Sequence, residues 1–424
     1  MKMNYVLLEK AVKDSKKILF WDLGNGVEHA YRLAQDGHEV FYYTPYFDPD
    51  PHFCKYAPGL GYEGVTKIKK FYKHIDEVDY IIFMDTGNGD QCEWLRSKGY
   101  KVYGAGHGER LETDRAWSKK IQKQIGLNVQ PYRVITGIDK LIDYAAKNPK
   151  KYVKLNVFRG DQESFFIKDE ETARILLNEF RTRIGPFEET FKFIVEDPID
   201  YEVETGWDLF FNGKEFLKPY LWGYCQTRFY AGKFTDKLPP LLEDVRVKIT
   251  PVLQMLNYRG NISMEMLVDK NGKGYVTDWT PRIPLPLSFT WTKSIRNYSE
   301  VVFACAKGES VRIEPTNKYV GYLEIHSKHL LDNWLKVSFP RKYSENVKFW
   351  RPAKFEGDYY SLPTSDTNLG AVVNDGSNLK DLFNEIVDIG DTVEAFQSDA
   401  SDASNSLGKM EEAIKKGKKL GLDF

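Results

Sequence analysis

The sequence predicts a multidomain protein that combines an α/β region with an α+β region. Its 424 residues, 42% of them hydrophobic, are too many for one compact core and are enough for two or three domains. The first hundred residues alternate apolar strands with amphipathic helices, a pattern typical of a doubly wound parallel sheet. Beyond residue 150, paired strands followed by helices predict an antiparallel α+β region.

The first domain is predicted over residues 1–108. KILFWDL (17–23), the helical VEHAYRLAQDG and HEVFYYT form a strand–helix–strand unit, and DYIIFMD (79–85) starts the next one. The turn GNGVEHA (24–30) lies where a helix N-terminus can receive an anion. This turn is interpreted as an anion or sugar-phosphate site or as a tight structural turn. NAD binding is a third alternative, although His29 stands where the dinucleotide fingerprint needs its third glycine.

The second domain is predicted over residues 109–315, with a small subdomain at about 128–200, and residues 316–424 are predicted to form a C-terminal α+β domain. Asn271-Gly272 is a hairpin signal that pairs the strands NISMEMLVD and GYVTDWT. The remaining predictions concern single elements. Helices are expected over 111–127, about 240–258 and 292–308, a strand over KEFLKPY (214–220), and a solvated connector over 398–408.

Composition excludes several classes of protein. Lysine plus arginine (60) nearly balance aspartate plus glutamate (61), so no global field favours nucleic acid, although a nucleic-acid substrate stays open. No apolar run approaches the ~18 residues of a membrane span. The four cysteines are far apart and form no CxxC pair, which indicates reduced thiols and a cytoplasmic protein.

Two acids are predicted to approach each other across the Asn271-Gly272 turn. If the flanking strands pair, Glu265 and Asp278 reach one rim of the sheet, where two carboxylates repel unless a cation bridges them. Mg²⁺ suits such a site, because it takes one or two carboxylates together with nucleotide phosphate oxygens. Lys154, inside an apolar strand, needs an anionic partner unless its ammonium reaches solvent from an edge strand. Arg282 can grip a carboxylate bidentately.

These features occur in an order that resembles the ATP-grasp enzymes, and most closely the phosphoribosylamine–glycine ligases. The resemblance spans nearly the whole chain. It is carried by GNGVEHA (24–30), APGLG (57–61), LETDRAWSKK (111–120), YVKLN (152–156), FIVED (193–197), DWTPRIPLP (278–286) and AVVNDGSNLKDLFNEI (371–386).

The resemblance implies an ATP-grasp fold with an N-terminal Rossmann-like domain and a small C-terminal domain. It also implies a ligase that uses ATP and Mg²⁺ or Mn²⁺ to join a small-molecule carboxylate, such as an amino acid, to an amine through an acyl phosphate. A monomer or a homodimer is expected.

The resemblance further implies roles for individual residues. Lys154 and Arg282 are expected to be catalytic. ATP is expected to contact Arg115, Lys154, Arg159, Glu196, Asp197, Ile199 and Glu204. The substrates are expected at Gly24, Asn25, Gly26, Glu28, His29 and Arg282, and the metal at Glu265, Asp278 and Thr280.

The sequence also departs from the family pattern. The glycine-rich loop over the phosphates is RGDQE (159–163), Asp278 replaces a glutamate, Thr280 replaces an asparagine, and WGYCQTRFYAGKF (222–234) differs from the acceptor region. Two alternatives therefore accompany the ligase hypothesis. One is a ligase that joins an amino acid to another amine, such as a modified nucleotide or nucleobase, and the other is an ATP-binding protein without turnover.

Overall fold

The computed structural model describes residues 14–45, 57–156, 164–226, 228–331, 333–363, 367–399 and 403–424. Four β-sheets organise these residues. The predicted mixture of α/β and α+β regions is confirmed. None of the helices described is both long and apolar enough to cross a membrane.

The N-terminal domain is a five-stranded parallel sheet with strand order β3-β2-β1-β4-β5. Apolar strand residues pack against two helices, as the alternation of the sequence predicts: one face has a core of its own, and the other shares a core with residues of the central region. In chain order the elements are β1 (Lys17–Trp21), α1 (Val27–Gln35), β2 (Glu39–Tyr43), β3 (Val65–Ile68), β4 (Tyr80–Phe83), α2 (Gly89–Ser97) and β5 (Val102–Tyr103).

A helical connection leads from this domain to a small antiparallel sheet with strand order β6-β9-β7-β8. The connection is α3 (Arg110–Thr113) and α4 (Arg115–Gln124). The small sheet and its two helices comprise β6 (Tyr132–Thr136), α5 (Ile138–Lys147), β7 (Lys151–Leu155), β8 (Ser164–Ile167), α6 (Glu170–Ile184) and β9 (Lys192–Glu196). They have a hydrophobic core of their own.

The predicted helix 111–127 is divided. Asp114 has φ −135° and ψ 76°, and its side chain accepts a hydrogen bond from the Trp117 amide, so it ends α3 and caps α4. The predicted single helix is therefore wrong. An N-cap aspartate followed by a new first turn is the physical reason.

An eight-stranded sheet with strand order β14-β13-β10-β11-β12-β15-β20-β17 forms the centre of the molecule. Its elements up to residue 326 are β10 (Val203–Phe211), β11 (Tyr220–Gln226), β12 (Phe229–Thr235), α7 (Pro240–Met255), β13 (Gly260–Val268), β14 (Gly274–Thr280), α8 (Phe289–Ser294), α9 (Tyr298–Lys307) and β15 (Tyr319–His326).

The remaining elements are β16 (Leu335–Ser338), β17 (Val347–Phe349), β18 (Pro352–Phe355), β19 (Asp358–Ser361), β20 (Asn368–Gly376), α10 (Leu379–Gly390), β21 (Glu394–Ala395) and α11 (Ala403–Lys419). A small sheet, β18-β19-β16-β21, completes this region. Because β15, β20 and β17 extend the central sheet, residues 316–424 share a hydrophobic core with the preceding domain.

Three further element predictions differ from the structure. The predicted strand 214–220 contributes only a bridge between Phe216 and Phe211, and β10 pairs instead with β11. The predicted helix 292–308 is split into α8 and α9 at Ile295, which is extended and bridges Pro315. In the predicted connector 398–408, helix α11 begins at Ala403, while residues 400–402 lie outside the described chain.

Candidate active site between two sheets

Glu265 and Asp278 lie directly opposite each other on β13 and β14. The strands join through the predicted Asn271-Gly272 turn, where Gly272 has φ +76°. A β-bulge beside Glu265 leaves Thr277 as the extra residue on β14. Trp279 packs in the core on the other face, so the two acids share the face that carries the site.

The same face carries a second row of polar residues one step further along the strands. Asp208 of β10 pairs with Ser263 of β13, and Ser263 pairs with Thr280 of β14. The first row reads Gly206, Glu265 and Asp278 across the same three strands. Side chains two residues apart point the same way, so both rows lie on one face of the sheet.

Two cations from other elements reach Asp278. The Lys154 ammonium, on the small sheet, contacts the Asp278 carboxylate and also lies 3.3 Å from the Thr277 carbonyl. Arg115, at the start of α4, places Nε 3.7 Å from Asp278 Oδ1 and donates from a terminal nitrogen to the Leu155 carbonyl at 2.9 Å. Lys154, a residue of β7, thus has the anionic partner that its burial requires.

Lys119 is a functional candidate that the sequence reasoning missed. Its Nζ lies 2.7 Å from Glu196 Oε1, and both side chains are almost inaccessible. Lys154 lies 3.7 Å from the other Glu196 oxygen. The sequence contained a signal for this role, namely a stripe of polar residues at helical spacing. This stripe is the buried side of α4 and consists of Arg115, Ser118, Lys119 and Gln122.

The electrostatics of the two acids differ. Neighbouring protein atoms desolvate the carboxylate of Glu265, and this effect, followed by repulsion from Asp278 and Glu204, raises its pKa to about 8. Part of the Glu265 residue is nevertheless exposed. Burial opposes ionisation of Asp278, but Lys154 and Arg115 outweigh it and hold its pKa below the usual value. Burial and the charge of Asp278 raise the pKa of Glu204. The face therefore carries one carboxylate neutralised by cations and two that lack this neutralisation.

The acid pair has the chemistry of a site for a nucleotide-bound cation. Burial and then the charge of Asp278 raise the pKa of Glu265, and a divalent cation between the carboxylates would relieve the repulsive part of that shift. Among the described residues no cluster of three or more histidine, cysteine or acidic side chains could hold a metal by itself. The two carboxylates of Glu265 and Asp278 alone fit Mg²⁺, because this ion keeps waters and phosphate oxygens as its other ligands.

Arg282 is held by an acid that the sequence reasoning did not single out. Its Nε and one terminal nitrogen donate to Glu112 at 2.9–3.2 Å, with Glu112 only 4% exposed. The other terminal nitrogen lies 3.3 Å from the Ile283 carbonyl. One edge of the guanidinium is thus engaged by Glu112, and the arginine is fixed in position at the end of the site face.

The glycine turn after β1 is occupied by a side chain of this chain. Asp22 Oδ2 accepts hydrogen bonds from the amides of Gly24 and Gly26, each at 2.7 Å, and from the Tyr42 hydroxyl. Asp22 is 1% exposed. The two amides expected to receive a substrate anion therefore already have an internal carboxylate partner, which the sequence reasoning missed.

The rest of this turn contacts the C-terminal region or the interior. Asn25 accepts a hydrogen bond from Arg351 at 3.2 Å, and Glu28 lies 3.5 Å from the buried Lys348 ammonium. His29 is fully buried, 2.6 Å from the Tyr298 hydroxyl and 3.1 Å from Ser288 Oγ. Burial, with the charge of Lys348, lowers the pKa of His29 to about 3. These contacts support a packing role for the histidine.

The other residues predicted to contact ATP lie at the end of β9 or outside the described residues. Asp197 pairs with Lys151 at 2.6 Å, and its amide donates to the Pro131 carbonyl. Ile199 follows as a partly exposed residue outside the helices and strands. Arg159 and its loop, RGDQE, lie outside the described residues.

The comparisons with known proteins bear on the fold. No family model matches the sequence, and no curated protein matches it. Solved structures do match. Phosphoribosylamine–glycine ligase from Thermotoga maritima is 14% identical with a TM-score of 0.65, covering 90% of this chain and 98% of that one.

Two biotin carboxylase structures are also similar to this chain. The domain from Hydrogenobacter thermophilus 2-oxoglutarate carboxylase, in complex with MgADP, ADP and bicarbonate, is 12% identical with a TM-score of 0.70, covering 97% of this chain and 99% of that one. Biotin carboxylase from Campylobacter jejuni, in a β,γ-ATP complex, is 15% identical with a TM-score of 0.67, covering 95% and 97%. The expected fold is confirmed over nearly the whole chain, which thus has the ATP-grasp fold.

Proposed function

We propose that the chain is an ATP-dependent carboxylate–amine ligase that works through an acyl phosphate. The observation that carries the proposal is the meeting of Lys154, Arg115 and Lys119 with Glu196 and Asp278 between two sheets. Such a cluster of buried cations can bind the phosphates of a nucleotide through charge-assisted hydrogen bonds, and the acids beside it suit the accompanying cation. The ADP and ATP complexes of structures with the same fold support this proposal.

ATP is proposed to lie between the small sheet and the central sheet. Lys154, Lys119 and Arg115 bind its phosphates, and Arg159 of the loop 159–163 assists them. The backbone from Glu196 through Asp197 to Ile199 receives the adenine, and Glu204 binds the ribose. Glu265, Asp278 and Thr280 hold Mg²⁺, which supplies neutralisation of the phosphate charge when it is bound.

The remaining chemistry needs positioning more than covalent help. The substrate carboxylate attacks the γ-phosphorus, and ADP leaves with the electron pair of the broken P–O bond. The neutral amine then attacks the acyl carbon, the acyl C–O bond breaks with its electron pair on the departing phosphate, and the nitrogen loses one proton, which the phosphate takes up. Lys154 and Arg282 stabilise the developing negative charge, and Glu112 keeps Arg282 at a fixed orientation.

One observation favours an acceptor that differs from phosphoribosylamine. Because Asp22 already accepts from the Gly24 and Gly26 amides, a phosphate at this turn would meet a buried carboxylate instead of free donors. A ligase that joins an amino acid to another amine is therefore the second candidate. In such a ligase, Asn25 and Glu28 of the turn would form part of the acceptor site together with the C-terminal residues that they contact.

ADP release tests the proposal. The wild type is incubated with Mg-ATP, a mixture of the twenty amino acids and hydroxylamine, which traps acyl phosphates as hydroxamates. Lys154→Ala and Asp278→Asn are expected to reduce ADP release by about 100-fold or more, because each removes a group that faces the transferring phosphoryl group. Lys273→Ala, an exposed lysine near the β13–β14 turn, is the matched control and should keep full activity.

Near-normal turnover in either site variant contradicts the proposed roles. Tight Mg-ATP binding by the wild type without ADP release under any substrate mixture contradicts the ligase proposal and favours a nucleotide-binding protein without turnover.

A further inference from the structure

Asp208 occupies a special place on the site face. It lies in the second polar row, with Ser263 and Thr280, one step beyond the row that holds Glu265 and Asp278. The Asn261 side chain of the next step donates to the Arg282 carbonyl. Along the strands Asp208 therefore lies between the row of the proposed phosphoryl-transfer acids and the step at which Asn261 contacts the Arg282 backbone.

The Asp208 carboxylate is buried without a cation. It is 6% exposed, and no positively charged side chain of the described residues is among the groups that shift its pKa. Its Oδ2 accepts a hydrogen bond from the Tyr230 hydroxyl at 3.1 Å. The neighbouring Ser263 hydroxyl is buried without a well-formed hydrogen bond. A buried carboxylate is costly unless a positive partner joins it, so this position is suited to a cationic group from outside.

Burial raises the pKa of Asp208 to about 7, against the lowering effect of the Ser263 and Tyr230 hydroxyls. The direction agrees with the geometry, because a carboxylate without a nearby positive charge is hard to ionise. An arriving ammonium would supply that charge.

The partner of Asp208 is itself held firmly. The Tyr230 ring stacks on Tyr322 with centroids 5.4 Å apart and planes 9° apart. It also lies over two glycines, since a Cβ on Gly223 would come 2.7 Å from Tyr230 Cζ and one on Gly232 would come 2.6 Å from Cε1. The tyrosine hydroxyl is thus fixed on one oxygen of Asp208, which keeps the carboxylate in one orientation.

We propose that Asp208 binds a primary ammonium group of a substrate, and so selects substrates that carry one. The proposal rests on the ligase function proposed above. The ammonium group has two possible sources, namely the α-amino group of an amino-acid carboxylate substrate and the acceptor amine before it attacks.

Asp208→Asn tests the proposal, because asparagine keeps the shape and can still accept the Tyr230 hydrogen bond. Loss of a charge-assisted hydrogen bond should raise the KM of the substrate that binds here by about 10- to 100-fold, with a smaller change in kcat. Asp236→Asn, at an exposed ion pair with Arg312, is the matched control and should behave as the wild type. Thermal unfolding verifies that both variants are folded.

Two assays separate the sources. Hydroxamate formation with hydroxylamine is measured for glycine and alanine and for their counterparts without the amino group, acetate and propionate. A higher KM for the amino acids alone assigns the ammonium to the carboxylate substrate. Unchanged hydroxamate formation with weaker amide formation from ethanolamine or 1,3-diaminopropane assigns it to the acceptor. Wild-type behaviour of Asp208→Asn in both assays overturns the proposal.

An inactive wild type would reject the proposed function, and calorimetry then decides about Asp208 separately. Binding of the same amino acids and amines is measured with MgADP present, which requires no turnover. A Kd at least tenfold weaker in Asp208→Asn than in the wild type supports the proposal. Equal Kd values, or no binding to the wild type, overturn it.

Discussion

Lys119 and Glu196 form an ion pair of 2.7 Å from which water is almost excluded, since the two side chains are 3% and 1% exposed. Burial lowers the pKa of Lys119, while Glu196 opposes that effect. A buried pair of this kind depends on both of its members, because either charge alone would be left without compensation.

Removal of Lys119 should therefore destabilise the protein strongly. Lys119→Met is expected to lower the free energy of unfolding by about 3 kcal/mol, because Glu196 then loses its nearer cation. The double variant Lys119→Met/Glu196→Leu should recover part of the loss. Urea unfolding of both single variants and the double variant measures the coupling. A double variant whose loss equals the sum of the two single losses would show that the pair contributes no interaction energy.

Glu112 should act on catalysis through Arg282. Glu112→Gln keeps the size of the side chain but removes the charge that fixes the guanidinium, so kcat/KM for the carboxylate should fall by about tenfold or more. The KM for ATP should not change. Steady-state kinetics with each substrate varied in turn measures both effects, and Glu300→Gln, on the exposed side of α9, serves as control. Equal losses toward ATP and carboxylate would contradict a positioning role.

Acid stability should depend on His29. Its pKa is lowered from 6.5 to about 3 in the folded protein, so between these values the unfolded chain binds a proton that the folded chain does not. Stability therefore falls as pH falls through this window, by about 1.4 kcal/mol per unit from this group. In His29→Gln this dependence should disappear, while His74→Gln, at a partly exposed histidine, should retain it. Urea titrations between pH 7 and 4 measure the slopes. Parallel slopes for the wild type and His29→Gln would exclude the effect.

The glycine turn should not respond to phosphate. With MgADP present in excess, ribose 5-phosphate is expected to leave the thermal midpoint of the wild type unchanged, because Asp22 already holds the turn amides. Asp22→Ala should be less stable by about 1–3 kcal/mol, since two buried amides lose their acceptor, and it should gain a response to ribose 5-phosphate. Asp90→Ala, at a fully exposed acid, is the control. Stabilisation of the wild type by ribose 5-phosphate would show that the turn is open to anions.

The sequence was most informative where a pattern repeats along an element. The alternation of strands and helices predicts the parallel sheet, and the Asn271-Gly272 turn predicts the register that places Glu265 opposite Asp278. The buried position of Lys154 in its strand predicts an anionic partner, although not that Asp278 would be that partner. These predictions depend on local chemistry, which a sequence displays directly.

The contacts that the sequence did not reveal join distant segments. Glu112 meets Arg282 across 170 residues, and the site of Asp208 arises only because three strands align. Asp22 is two residues from the turn that it fills, yet a carboxylate after a strand is also a common solvated end. Pairing across long separations is fixed by tertiary packing, and a single sequence displays no signal for it.

The contact of Lys154 with Asp278 joins the small sheet to the central sheet. Because Lys154 is only 10% exposed and Asp278 30% exposed, salt screens this contact far less than a surface pair, so it should persist at physiological ionic strength. An entering ligand must then displace a carboxylate from the lysine. We expect this competition to favour ligands with several negative charges: a triphosphate displaces Asp278 from Lys154, and a singly charged anion does not.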